Sequence, residues 1–306
     1  MHDHAAHSAE GIGSGRMATA TGLTLLFVAG EAFAGWRAHS LALMSDAGHN
    51  FADAAALAFS WYAIVVARRA ATTTMSFGYH RVGVLAALAN AASLVVIGLL
   101  IFWEAFRRFQ HPEPVNAAVM VGVASVAVVL NAAISWSLHG GKHDLNIRSA
   151  YMHMLGDALS AGGVVVAGVA AWRTGSQLMD PLVSLVIGAL ILWSSWSILQ
   201  ESVNVLLEGV PGDIDLPAVE TALRRLPNVR DVHHLHAWTI SSGFLACSCH
   251  IVPDVASMEG GDQLLKEAER LLASRFNFRH TTIQLETTPC APEQHCMSDE
   301  PTSARS

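Results

Sequence analysis

Two spacings carry most of the chemistry this sequence can do. His49 and Asp53, and again His153 and Asp157, stand as HxxxD inside long apolar runs. At about 100° per residue, each pair lies on one face of a helix, one turn apart. Ionisable side chains in the middle of a membrane helix cost roughly 2.5–3.5 kcal/mol each on the insertion scale, so four of them need a reason. If the two faces meet, two imidazole nitrogens and two carboxylate oxygens converge. That is four-coordinate chemistry suited to zinc and tolerable for cobalt or cadmium, whereas magnesium and calcium want all-oxygen sites. Two ionised aspartates and two neutral histidines are neutralised by one divalent ion, which lowers the cost of carrying it through a low-dielectric region. Once the metal leaves, uncompensated carboxylates raise the proton affinity of their neighbours, and histidine already titrates near physiological pH. Metal and protons then compete for one site, and the expectation is metal/proton antiport by alternating access. Each HxxxD could instead be a hydrogen-bonded structural pair, although two matched pairs weigh against it. Neither is HExxH, so the glutamate base of a membrane metalloprotease is missing.

Other polar residues sit in or near the ends of the same runs. Asp46, three residues before His49 and seven before Asp53, falls on nearly the same face, as a support to the ligands or a ligand on the way in. Glu31, Glu104, Asn50 and Asn131 are read as interhelical hydrogen-bonding groups or as lining for an aqueous cavity. Gly156, Gly162, Gly163 and Gly168 suit close crossing of the helix that bears them, through packing or as a sliding surface.

The elements that position these residues follow from composition. Of 306 residues 52% are hydrophobic and 14% charged, and the mean hydropathy is +0.38, so a membrane protein is the expected class. A bilayer-spanning helix needs about 20 apolar residues, and runs at 17 to 36, 41 to 67, 82 to 106, 115 to 138, 150 to 172 and 178 to 199 provide them. Six spans put both termini on one side. Placing that side inside leaves Arg16, Arg68, Arg69, Arg81, Lys142 and Arg148 there, against Arg37, Arg107, Arg108 and Arg173 outside, a lean toward cytosolic termini. Short loops and tails suggest a bacterial inner membrane.

Beyond the helices the periodicity changes. Pro217 to Leu226 reads as a helix, Val229 to Ser241 and Phe244 to Val252 as strands joined at SSG, Gly261 to Phe276 as a helix and His280 to Glu286 as a third strand, the order of a small αββαβ domain. The expected organisation is therefore a tail at 1–16, a six-helix transport domain at 17–208, a carboxyl-terminal α+β domain at 209–289 and a disordered tail at 290–306. From Gly209 onward 13 Asp and Glu face 8 Lys and Arg, which argues against nucleic acid as a partner. All four cysteines lie in this last third and form no readable disulfide framework. His2, His4 and His7 in the first tail could hold metal weakly or be dispensable.

The sequence resembles the cation diffusion facilitator family, in its zinc-transporter branch. The likeness rests on SLALMSDAGHNFADAAAL, SFGYHR, NIRSAYMHMLGDALSAGGVVV, DPLVSLVIG, NVLLEGVP, HHLHAWTISSG and HTTIQLE, and spans nearly the whole chain. It implies a homodimer with six membrane helices per subunit, a cytosolic domain of metallochaperone-like αββαβ fold, and zinc/proton exchange with His49, Asp53, His153 and Asp157 as ligands. Histidine at position 49 resembles the zinc-preferring members. Some relatives bind a further metal in the loop after the second helix, where Met75 and Tyr79 stand here, so none is expected. Gly83 occupies a position that is often acidic in the family. Arg81 and Glu208 resemble a charge pair tying the two domains together, or form an ordinary solvated pair. The family's metals in the last domain suggest His233, His250 and Glu286, with His280, Gln284, Cys247 and Cys290 as neighbours, binding zinc to favour dimer closure. His234 and His236 read as surface or packing residues of a strand.

Two rival readings remain at this level, a membrane-anchored metal sensor and an uptake carrier. A sensor has no use for intramembrane HxxxD pairs. Sequence gives the site but not the driving gradient, although an acidic domain with sensory ligands favours export. No nucleophile elbow or phosphate-binding loop is present, so no enzyme activity is expected.

Overall fold

The computed structural model describes residues 14–139, 145–254 and 258–286. Residues 1–13, with His2, His4 and His7, and 290–306, with Cys290, lie outside the described residues, whereas residues 14–16, expected in the first tail, are already helical. The chain forms helices α1 (Ser14–Ala38), α2 (Leu41–Ala67), α3 (Val82–Gln110), α4 (Ala117–Leu138), α5 (Leu145–Thr174) and α6 (Met179–Leu206). Five of them, α2 to α6, contain stretches long and apolar enough to cross a membrane. α1 has 25 residues, which at 1.5 Å per residue also exceeds a hydrocarbon core of about 30 Å. Large apolar side chains such as Leu57, Trp103, Trp136, Leu159 and Trp193 point outward, exposed, as lipid-facing residues must.

The contacts divide the chain into two compact units, Met1–Tyr62 with Ala86–Leu199, and Ala63–Leu85 with Gln200–Ser306. In the first unit the buried core takes Leu43 and Ala52 from α2, Leu94 and Ile101 from α3, Met120 and Ala124 from α4, Val164 and Ala167 from α5, and Ile187 and Ile191 from α6. Lipid tails are as apolar as these side chains, so close van der Waals fit is what favours the bundle. Gly168 shows how close the fit is. A Cβ there would stand 2.7 Å from Val121 Cγ2, where α4 packs on α5, whereas Gly156, Gly162 and Gly163 have nothing within 4 Å. The expectation that all four glycines serve a crossing is corrected to Gly168 alone, because the other three face open space.

Several buried polar groups are satisfied inside the bundle. Ser45 and Ser184 donate to carbonyls four residues earlier, each at 2.7 Å, the usual way a hydroxyl is accommodated in a membrane helix. Asp180, in the first turn of α6 and only 1% exposed, accepts hydrogen bonds from Ser40 Oγ at 2.6 Å, Leu41 N at 2.7 Å and Ala42 N at 3.2 Å. Arg108 Nη1 lies 3.4 Å away. A carboxylate from one helix thus caps the positive end of another, and the capped helix is α2, which carries His49 and Asp53.

The second unit contains α7 (Leu216–Arg224), β1 (Val229–Ser241), β2 (Phe244–Pro253), α8 (Met258–Phe276) and β3 (Phe278–Leu285), the expected αββαβ order. β1 and β2 form an antiparallel hairpin, and β3 lies parallel to β2 on its other side. Gly243 takes a φ of 69° at the Ser242–Gly243 turn, the left-handed geometry that two-residue hairpins require. Asp215 caps α7 through Ala218 N, with Pro217 in the first turn. Val219, Leu223, Val232, Ile251, Leu264, Leu272 and Phe278 fill the core. Cys247 and Cys249 belong to it as well, both 1% exposed. Cys247 therefore packs in the interior and is not a neighbour of the histidines. Its hydrogen bond with Cys249 and its burial push its thiol up, away from the thiolate that binds metals.

Candidate metal centre

α2 supplies His49 and Asp53, and α5 supplies His153 and Asp157. The structure brings the four together. His49 Nε2 lies 3.5 Å from Asp53 Oδ2 and 3.6 Å from Asp157 Oδ1. His153 Nε2 lies 3.4 Å from Asp53 Oδ2 and 3.7 Å from Asp157 Oδ2. Each imidazole thus faces one carboxylate from its own helix and one from the other.

These separations are too long for N–H···O bonds, which lie at about 2.7–3.2 Å. Four ligand atoms held on zinc at about 2.0–2.1 Å stand roughly 3.3 Å apart along the edges of a tetrahedron, close to these imidazole–carboxylate separations, in which His49 and His153 meet different oxygens of Asp157. His49 Nδ1 and Asp53 Oδ2 are buried without a hydrogen-bond partner. His49, Asp53 and Asp157 offer ligand atoms within 4.8 Å of one another. His153 is the most exposed of the four, at 46%, and its ring meets that of His49 edge-on at 6.3 Å. The donor set can hold a divalent ion of borderline softness or, without one, take up protons.

The other polar residues of the helices divide. Asp46 accepts from Ser160 Oγ on α5 at 3.1 Å. Glu31, 1% exposed, accepts from Asn50 Nδ2 at 3.3 Å. Glu104 differs from its expected role: it accepts from Arg107 at 2.7 Å and from Arg108 at 3.0 Å near the end of α3, so it is matched by neighbouring arginines on its own helix.

In the second unit a different cluster forms. His233 Nε2 lies 3.0 Å and His250 Nδ1 2.8 Å from the two oxygens of Glu286. His233 and His250 are paired across the β1–β2 ladder, and Glu286 follows β3, its backbone N–H bonded to Ile251 O. Gln284 donates to Glu286 Oε1 at 2.8 Å. These three residues offer ligand atoms within 4.8 Å of one another. Burial holds the His250 imidazole below its usual value, which favours the neutral form that binds metals.

Sequence reasoning missed His234. A register shift interrupts the ladder between His233 and His236, and His234 adopts a φ of 49°. This bulge breaks strand alternation and sets the His234 ring 5.4 Å from His233 and 5.2 Å from His250. No local sequence signal marks the bulge. His236, by contrast, is exposed as expected. His280 lies edge-on to Phe77 at 5.5 Å and not in the cluster. Arg81 Nη2 and Glu208 Oε1 are 2.8 Å apart, a pair more exposed than buried.

Comparison with known proteins gives these arrangements their context. Residues 17–207 match the family model described as the cation efflux transmembrane domain, and residues 211–288 match that of the cation efflux protein, cytoplasmic domain. Zinc transporter ZitB of Shigella flexneri is 37% identical over 300 residues, covering 96% of this chain and 95% of the relative. The cadmium, cobalt and zinc/H(+)-K(+) antiporter of Bacillus velezensis is 35% identical over 261 residues, 84% of this chain and 83% of its own. The metal cation efflux system protein CzcD of Cupriavidus metallidurans is 36% identical over 272 residues, 89% and 86% of the two chains. With both family models matched in order along a multi-pass membrane chain, this protein belongs to the cation efflux family, the cation diffusion facilitators.

Proposed function

We propose that this cation efflux transporter exports divalent transition-metal ions from the cytoplasm, zinc first and cadmium or cobalt with it, in exchange for protons, through His49, Asp53, His153 and Asp157. One observation carries the reading: four imidazole–carboxylate separations of 3.4–3.7 Å across two helices, spaced for an ion rather than for hydrogen bonds. The relatives point the same way, through the zinc named for ZitB and the protons named for the Bacillus antiporter.

The ion is the cargo, and its charge offsets that of the two aspartates during transit. When it leaves, the imidazoles and carboxylates accept protons, which return on the opposite stroke. His233, His250 and Glu286 would hold a second, regulatory zinc in the carboxyl-terminal domain, with Arg81 and Glu208 as a structural charge pair. We further read the protein as a homodimer in a bacterial inner membrane with both termini in the cytosol, residues 17–208 carrying transport and 209–289 regulation and dimer contact. A membrane-anchored sensor would have no use for the intramembrane cage, and uptake would leave cytosolic ligands without a signal to read.

The test is zinc flux into proteoliposomes under an imposed proton gradient, with internal pH recorded. Zinc movement coupled to counter-moving protons, and abolished by Asp53→Ala and Asp157→Ala, is the expected result. Flux indifferent to the gradient, or undiminished in both variants, would overturn the mechanism.

A further inference from the structure

Glu31 of α1 and Asp46 of α2 form a second acidic centre in the helix bundle, and the four-ligand cage does not account for it. They are 1% and 2% exposed, and Glu31 bonds Asn50, which stands one turn from Asp46 on the same face of α2. The donors they meet are neutral: Asn50 Nδ2 reaches Glu31 Oε2 at 3.3 Å and Ser160 Oγ reaches Asp46 Oδ1 at 3.1 Å. Glu31 Oε1 is buried with no donor at all. Two ionised carboxylates cannot hydrogen-bond to each other, because both are acceptors. Deeply buried and with no cation among these contacts, they cannot both stay charged at reasonable cost. A single proton between them resolves both difficulties: it gives Oε1 a hydrogen bond and halves the charge.

We propose that Glu31 and Asp46 together are a proton-binding site distinct from the metal cage, which gives up its proton when a divalent ion enters the cage. The groups facing the pair support this coupling. Asp46 sits three residues before His49 on α2, and its Ser160 contact sits three residues beyond Asp157 on α5. α4, which packs against α1, has no ionisable residue in its sequence. An ion arriving among His49, Asp53, His153 and Asp157 therefore repels the shared proton, which leaves to solvent, and protonation of the pair weakens metal binding in return. The inference rests on the cage reading given above and adds to it a proton that the ligands themselves do not carry.

The experiment measures zinc affinity of the purified full-length chain in detergent from acid to alkaline pH, together with protons released per zinc in weak buffer. Glu31→Gln mimics the protonated acid. It should match the native affinity at the acid end, fail to gain as much at the alkaline end, and release about one proton fewer per zinc, equivalent to a loss of up to ~tenfold in affinity per pH unit across the titration. Asp46→Asn should behave alike, which keeps the test valid if one variant does not fold. A pH dependence and proton count unchanged in the folded variants would overturn the proposal while leaving the cage reading intact. With the carboxyl-terminal zinc removed by Glu286→Gln in every chain compared, zinc binding that survives Asp53→Ala with Asp157→Ala would instead overturn the cage reading.

Discussion

In the membrane cage the imidazole nitrogens stand 3.4–3.7 Å from their carboxylate partners, whereas in the carboxyl-terminal cluster the corresponding distances are 3.0 and 2.8 Å. Both use histidine and a carboxylate, yet only the second is closed on itself. Glu286 engages His233, His250 and Gln284 at once, so a metal ion entering there must displace existing contacts. His233 Nδ1 and His250 Nδ1 are nonetheless buried without a hydrogen-bond partner, as His49 Nδ1 and Asp53 Oδ2 are in the cage, so the difference lies in the shorter distances and the shared Glu286. An open set of ligands suits an ion that must arrive and leave, while a closed one suits an ion whose binding changes the shape of what holds it. Similar residue types thus stand at different separations in the two places.

The strongest way to break this comparison is to neutralise one carboxylate in each place. Asp157→Asn should lower zinc flux by about 100-fold or more, a ligand loss being at least as costly as the 10–100-fold typical of a supporting group. Glu286→Gln should leave flux at saturating zinc nearly unchanged and remove only the zinc of the closed cluster, since it removes a ligand there and touches no cage ligand. Flux in proteoliposomes and bound zinc per chain separate the two, and equal loss of flux in both variants would end the distinction.

Asp180 offers a benchmark for a carboxylate that is purely structural, since its contacts are true hydrogen bonds at 2.6 and 2.7 Å. Asp180→Asn, which leaves Ser40, Leu41 N or Ala42 N less well paired, should cost roughly 1–3 kcal/mol. It should lower the Tm in detergent, and zinc should not restore it. Restoration by zinc would place Asp180 among the metal-responsive groups.

The smallest effect is in acid. Because burial holds His250 below the ordinary imidazole value of about 6.5, the unfolded chain binds more protons than the folded one just beneath that value. Stability conferred by the carboxyl-terminal domain should therefore rise as pH increases through this window and be lost as pH falls through it. In an Asp157→Asn background, zinc in the closed cluster should persist below pH ~6.5. Thermal unfolding and zinc retention on either side of that value provide the check, and release above it would show that the cluster is not poised as neutral ligands.

How much of this could be read without coordinates depends on distance along the chain. The αββαβ order, with β1 at Val229–Ser241, was legible because alternation and turn chemistry are local. The bulge that turns His234 toward His250 was not, because a register shift belongs to a strand pair and leaves no trace in one strand's alternation. Asp180 stands in the first turn of α6. That it caps α2 instead depends on Ser40, 140 positions away.

The sequence by itself determined that this is a multi-pass membrane protein and that His49 with Asp53, and His153 with Asp157, share helical faces, since hydropathy and a spacing of four are properties of one segment. Only the tertiary structure decided that the two faces meet, that they meet at 3.4–3.7 Å, and that Asp46 reaches Ser160 of α5. Those outcomes depend on how helices pack, and packing is set jointly by side chains such as Gly168 and Val121 on different helices, which no single segment encodes.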